Sequence, residues 1–283
     1  MPNLPVTTYS PDSLFRDKRR LFTELKDELL GSRELAFALF KRNIKAQFRQ
    51  SALGYTWLLF PPIATTLVWF FLNRSGVVRV AETGIPYPAF VMIGTLLWQA
   101  FLDGMLKPIQ ALETSKSMLT KINFHRSAPV IAGIMETSVI SAVRLTLLIP
   151  VFAFVGLIPG WTAVFFPVAY LAIVLLGTSF GTLLAPIGLL YTDIGRGLQV
   201  LGQFLMYAAP VVYPIATAGI LAIVHKLNPT TYLLETGREL LTGSPLLYLS
   251  ESVLITLTAF VLLLIAWTVL HISMPRLIER MGM

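Results

Sequence analysis

From Leu145 to Thr192 the chain runs for 48 residues without one charged side chain. A helix needs about 20 apolar residues to cross a hydrocarbon core roughly 30 Å thick. The run is therefore long enough for two crossings, and the Ile158-Pro159-Gly160-Trp161 turn divides it. Two more charge-free intervals, residues 50–73 and 83–102, are each long enough for one. A soluble chain of 283 residues can bury one large core but not several such stretches. The expected fold is an all-α membrane protein with six spans, at about 51–73, 83–106, 129–156, 164–190, 197–215 and 252–274.

Composition agrees where it bears on solvent. Charged residues make up 13% of the chain, against about 25% in a typical soluble domain. Hydrophobic residues reach 55%, and mean hydropathy is +0.72. A net charge of +7 can signal nucleic acid, but these cations cluster beside apolar segments. That placement favours anionic membrane lipids and membrane topology, and no nucleic-acid partner is expected. With no cysteine, disulfides, thiolate metal sites and thiol nucleophiles are excluded. The first thirty residues hold five carboxylates and no apolar core segment, so no cleavable signal peptide is expected.

Residues 33–50 read as an amphipathic helix lying in the membrane surface. Phe37, Phe40, Ile44 and Phe48 form one stripe, with Lys41, Arg42, Lys45 and Arg49 along its flank. It follows a lead over residues 1–32 and passes through Ser51-Ala52-Leu53-Gly54 into the first span. Lys and Arg number ten before that span, four from Lys107 to Arg126, one at Arg196 and two in the tail over 276–283. The opposite side holds four: Arg74, Arg79, Lys226 and Arg238. Seventeen against four puts both termini in the cytoplasm. Residues 216–250 are too apolar for an ordinary loop and too interrupted to cross, so they read as two short helices that enter the outer leaflet and return. Such backbone is tolerated only where protein or water receives it.

Catalytic signatures are missing. There is no G-x-x-x-x-G-K-[ST] phosphate loop and no H-E-x-x-H, and His125, His225 and His271 lie in separate regions. Gly177-Thr178-Ser179-Phe180-Gly181 is a G-x-x-x-G, which in an apolar helix is a close-packing face. No metal site, bound cofactor or enzymatic activity is expected of this chain alone.

Five motifs occur in a telling order. They are Lys45 to Trp57 (K-A-Q-F-R-Q-S-A-L-G-Y-T-W) followed by Pro61; Lys121-Ile122-Asn123-Phe124-His125-Arg126 with Pro129; Tyr191-Thr192-Asp193-Ile194; Ala209-Pro210-Val211-Val212-Tyr213-Pro214; and Asn228-Pro229-Thr230-Thr231-Tyr232 with Glu235 and Arg238. Together they resemble the polysaccharide-exporting permeases of the type-2 ABC transporters, over about residues 33–275. These are the membrane subunits that export O-antigen, capsular polysaccharide or teichoic acid. Thr192 stands where the family usually has Arg, with Arg196 one turn on as the replacement charge, and His125 stands where Pro is common.

The resemblance implies a permease in the bacterial cytoplasmic membrane that forms a homodimer and binds two ABC ATPase subunits. The ATP and Mg belong to that partner, and a lipid-linked glycan moves outward. A cytoplasmic coupling loop over 107–127 would dock on the ATPase through Glu113, Ser115, Lys116, Met118, Lys121 and Arg126, with Lys41, Lys45 and Arg49 of the interface helix as a second contact. The plain alternative is a solvated loop and a membrane anchor. Tyr55, Trp57, Phe60, Phe204, Tyr207 and Tyr213, on the first and fifth spans, would line the pathway; an interfacial aromatic belt accounts for such residues equally. Asn228, Pro229, Tyr232, Glu235 and Arg238 would form the re-entrant gate region. Glu136 and Arg144, inside the third span, are expected to face protein or water, as a structural ion pair or a substrate contact. A drug or lipid exporter of the same architecture, and a secondary transporter, are the competing functions.

Overall fold

The computed structural model describes residues 18–49, 52–121 and 125–282. They form eleven α-helices and two short 3-10 turns, with no strand among them. In chain order the helices are α1 (Lys18–Gly31), α2 (Arg33–Phe48), α3 (Thr56–Arg74), α4 (Tyr87–Lys121), α5 (Ala128–Leu145), α6 (Leu148–Val155), α7 (Phe166–Leu190), α8 (Thr192–Leu205), α9 (Gly219–Leu227), α10 (Pro229–Thr242) and α11 (Leu249–Gly282). Among the described residues, five segments are long and apolar enough to cross a membrane: α3, α4, α5 with α6, α7 with its preceding 3-10 turn, and α11.

Helix α4 is the axis. It is buried along most of its length, whereas α3 and α11 lie at the periphery. Its tightest partner is α7, and glycine explains the approach. A Cβ on Gly177 would collide with the carbonyl oxygen of Phe101, and one on Gly181 with that of Met105. The G-x-x-x-G thus sets backbone against backbone, which lipid-embedded helices use in place of a hydrophobic drive. At the other end of this contact Ile109, Leu112 and Leu119 of α4 pack with Leu189 of α7 and Leu270 and Met274 of α11.

Several segments differ from their sequence-based expectation. Residues 18–31, expected only as a lead, are helical and stop at Ser32, whose hydroxyl donates to the Leu29 carbonyl. Residues 107–121, expected within a loop, continue α4 without a break, because Leu112, Ser115 and Leu119 share the stripe that packs inward. The third span divides at Thr146–Leu147 into α5 and α6. Pro150 falls in the first turn of α6, where its missing N–H has no helical partner to lose.

The expected fifth span departs most. Helix α8 and a 3-10 turn, Met206–Ala208, end before Ala209, whose φ of −126° and ψ of 152° are extended. Pro210 explains the stop, since a proline disfavours helical backbone in the residue before it. Ala209, Val211 and Val212 are nonetheless fully buried.

On α2 the phenylalanine stripe faces the protein only in part. Ala36 and Leu39 are buried against Ala128 and Ala132 of α5. Phe37, about 100° round the helix from Ala36, is 46% exposed, with Lys41 Nζ 4.4 Å above its ring. Small residues allow the close contact, Phe40 packs beside them, and Phe37 is left outside.

Candidate functional site: a clasped backbone, buried charges and a basic end

Extended backbone inside an apolar bundle needs partners for its carbonyl groups. At Val211 and Val212 they come from Arg238, in the segment expected as the gate region, and from Tyr87 of α4. Arg238 of α10 is 4% exposed and donates Nη2 to the Val211 carbonyl at 2.8 Å, with the Phe90 carbonyl at 3.5 Å. Its guanidinium stacks 3.6 Å from the Phe90 ring centroid, and Glu235, one turn earlier, holds Nη1 at 2.5 Å. Gly94 makes this possible, because a Cβ there would collide with Arg238 Nη2 and the Val211 oxygen. Tyr87 donates its hydroxyl to the Val212 carbonyl at 2.9 Å.

Asn228 serves two segments at once. Its Oδ1 accepts from the Thr230 backbone N–H at 3.1 Å and so caps α10, while Nδ2 donates to the Ala208 carbonyl at 3.1 Å. Pro229 occupies the first turn, where no N–H is required, and Tyr232 donates to the Lys226 carbonyl at 2.8 Å. At its far end α10 meets the turn before α7. Gly160 N–H donates to Leu241 at 3.0 Å and Thr162 Oγ1 to Leu240 at 2.7 Å, with Gly160 and Gly243 too close for any Cβ at 160.

The two charges inside the third span each find partners on other helices. Glu136 is 6% exposed; Oε1 accepts from Asn43 Nδ2 of α2 at 2.6 Å and Oε2 meets Lys107 Nζ of α4 at 3.1 Å. Arg144 pairs through Nη1 with Asp103 of α4 and donates Nε to the Leu58 carbonyl of α3 at 3.3 Å. Asp103 ends a charge-free run inside the expected second span, and Lys107 opens the expected coupling loop. Both lie inside a continuous helix, and only the facing α5 residues reveal their roles.

The basic end gathers α1, α2, the close of α4, the start of α5 and the end of α11. Glu28 of α1, which no sequence motif marks, accepts from the Ser127 backbone N–H at 3.1 Å and pairs with His271 of α11. Burial pushes the Glu28 carboxyl up, but His271 and the Ser127 contacts outweigh it and hold the group below its ordinary value of 4.5.

The expected coupling residues separate into two sets. Ser115 is buried, and Met118 packs beside α2, with Arg42 Nη1 3.5 Å from its sulfur, so these two face inward. Glu113 sits over Gly195 in the first turn of α8, where a helix start favours negative charge. Lys116, Lys41, Lys45 and Arg49 are exposed, and Arg126 is half-buried. Lys121 closes α4. Its side chain, and Ser51 and Ile122-Asn123-Phe124 of the motifs, lie outside the described residues. Arg196 stands 4.0 Å from Asp193 with both side chains in the open, a loose contact in place of the missing Arg at 192.

The expected pathway aromatics lie on two neighbouring elements. Tyr55, Trp57 and Phe60 are exposed at the start of α3, with Trp57 and Phe60 edge to face at 5.7 Å. Further along α3, Trp69 meets Tyr207 at 6.1 Å between centroids. Tyr213 donates to the Tyr207 carbonyl and stacks on His225 at 5.8 Å, and Phe204 is 67% exposed.

A sequence model of the ABC-2 type transporter family matches residues 34–242. The chain is 27% identical over 219 residues to an O-antigen export system permease protein, RfbA, of Myxococcus xanthus, covering 74% of this chain and 80% of that one. A protein of the same description from Klebsiella pneumoniae is 20% identical over 245 residues, covering 84% and 91%. The polysialic acid transport protein KpsM of Escherichia coli is 23% identical over 228 residues, covering 76% and 83%.

Proposed function

The chain belongs to the ABC-2 type transporter family, and from that premise we propose that it is the membrane permease subunit of an ATP-driven exporter carrying lipid-linked polysaccharide outward across the cytoplasmic membrane. The observation that carries the reading is the continuous match from Glu34 to Thr242, which runs from the interface helix through the clasped α10. Relatives named for O-antigen and polysialic acid export, aligned over 74–84% of the chain, support polysaccharide as the cargo.

In this reading α8 and its 3-10 turn form a short fifth crossing, giving six in all and returning the C-terminus to the side of α1. The excess of Lys and Arg on that side makes it cytoplasmic. Helices α9 and α10 enter the outer leaflet and return. Two copies enclose the pathway, and two ATPase subunits, which carry the ATP and Mg, bind the basic end. Closure of those subunits pushes on α2 and the close of α4, and the dimer opens outward.

Co-expression with candidate ABC ATPase subunits, followed by co-purification and ATPase assays with lipid-linked glycans, tests the proposal. The expected result is a complex with two copies of each chain whose ATP hydrolysis rises with its glycan. Failure to bind any such subunit sinks it.

A further inference from the structure

Helix α8 presents three faces. Gly195 and Gly202 are buried against the bundle, and Val200, Leu201, Phe204 and Leu205 make an exposed apolar face. Between these faces lie Gln199 and Gln203, one turn apart and both exposed, with Tyr207 continuing the line into the 3-10 turn.

Depth makes the line informative. The Gly202 carbonyl accepts from Trp98 Nε1 at 3.2 Å, and Leu102 packs on the same glycine. Trp98 and Leu102 lie about 17–23 Å from the start of α4 at roughly 1.5 Å per residue, well inside a core roughly 30 Å thick. An amide exposed at that depth cannot face hydrocarbon, which offers it no hydrogen bond. The Tyr207 ring meets Trp69, so the line ends against α3. Gln99 of α4 adds a third amide at this level, its Oε1 buried with no partner among the described residues.

We propose that Gln199, Gln203 and Tyr207 line a water-filled passage and hydrogen-bond the hydroxyl groups of the passing glycan; the choice of ligand rests on the polysaccharide reading above. Each amide both donates and accepts, as a sugar hydroxyl does, and carries no charge to select ions. The Tyr207 and Trp69 rings add flat apolar surface for the C–H faces of a sugar ring. Phe204, next to Gln203 and about 100° round the helix, lies on the apolar face and leaves this role to the amides.

The absence of cysteine makes a direct test available. Gln199→Cys, Gln203→Cys, Val200→Cys and Phe204→Cys are introduced singly, and the ATPase-bound permease in proteoliposomes is treated with a charged, water-borne methanethiosulfonate. Thiols at 199 and 203 are expected to react at least about tenfold faster than those at 200 and 204, because a thiol in hydrocarbon does not ionise. Equal rates, or disulfide formation between two copies at 199 or 203 without labelling, overturn the passage. In parallel, the Gln199→Leu/Gln203→Leu pair is compared with wild type and with Gln203→Asn for export of cell-surface polysaccharide. Export is expected to fall in the leucine pair and to be largely kept by the asparagine variant. Unchanged export in a correctly assembled leucine pair overturns the glycan contact. If the cysteine variants label as expected but the wild-type protein exports no polysaccharide, the cargo reading and the glycan contact with it are overturned, and the passage stays supported.

Discussion

Arg144 Nε donates to the carbonyl oxygen of Leu58, 3.3 Å away across two helices. That oxygen is the one Pro62 leaves without a helical partner, since a proline four residues on has no N–H to give. The same guanidinium pairs with Asp103, so one side chain joins α3, α4 and α5 where the first span is weakest. A charge that is costly in a membrane helix here answers two needs, a carboxylate and an orphaned carbonyl.

Replacing Arg144 by Leu should destabilise the fold by about 1–3 kcal/mol, because the half-buried Asp103 and the Leu58 carbonyl both lose their partner. Pairing Arg144→Leu with Asp103→Asn should recover part of the loss. Thermal unfolding in detergent checks both, and equal melting of wild type and Arg144→Leu would remove the proposed role.

Glu136 predicts a graded series. Glu136→Gln keeps an acceptor for Asn43 but leaves Lys107 without its countercharge, whereas Glu136→Leu loses both links between α2, α5 and α4. Leucine should therefore be the worse variant, by about 1–3 kcal/mol, the scale of an unsatisfied buried polar group. Protease sensitivity of α2 in the folded protein should rise in the same order.

The α4–α7 contact should reject any side chain at two positions. Gly177→Ala and Gly181→Ala set a methyl group against backbone oxygen and should each cost about 1–3 kcal/mol, the scale for overpacking. Gly133→Ala is the internal control, since its Cβ would lie 3.2 Å from the Lys107 oxygen and 3.3 Å from the Ala111 Cβ. A melting loss as large at 133 as at 181 would contradict this ranking.

Arg238→Ala should cost about 3–5 kcal/mol by leaving the half-buried Glu235 unpaired and the buried Val211 carbonyl without its donor. Arg238→Lys should restore only part, because an ammonium cannot both stack flat on Phe90 and bridge Glu235 to the Val211 carbonyl. Unfolding midpoints of the three proteins give the order directly.

Glu28 supplies a pH test. Its folded value lies below the ordinary 4.5, so it contributes stability above that value. The contribution is lost as pH falls through the depressed folded value. Glu28→Gln should therefore flatten the acid limb of the stability profile below about pH 4.5 and lower stability at neutral pH. A parallel acid limb in the variant would show that the pairing does not tie α1 down.

Much of this architecture was legible in the chain because one rule dominates in lipid: a crossing segment must be apolar and satisfy its own backbone. The runs around residues 56–74, 87–106 and 166–190, the Pro159-Gly160 turn and the close-packing glycines of α7 follow from it. What misled was using charge as a boundary marker. Asp103 ends an uncharged run and Lys107 opens the expected loop, yet α4 continues to Lys121, with Arg144 and Glu136 of α5 meeting the two charges. Similarly, Ser115, expected as an outward contact, lies on the inward stripe of α4.

The sequence by itself determined the solvent, the helical class, most of the spans and the five motifs, because these depend on local composition and spacing. Only the tertiary structure decided which carbonyl receives Arg238, which carboxylate receives Arg144 and which face of α2 meets protein. It also decided that α8 stops at Ala209 in buried extended backbone. Those outcomes depend on groups up to 148 residues apart in the chain, as with Arg238 and the Phe90 carbonyl. A polar group in an apolar bundle is settled by whichever distant partner the packing brings within reach, and no local pattern encodes that partner.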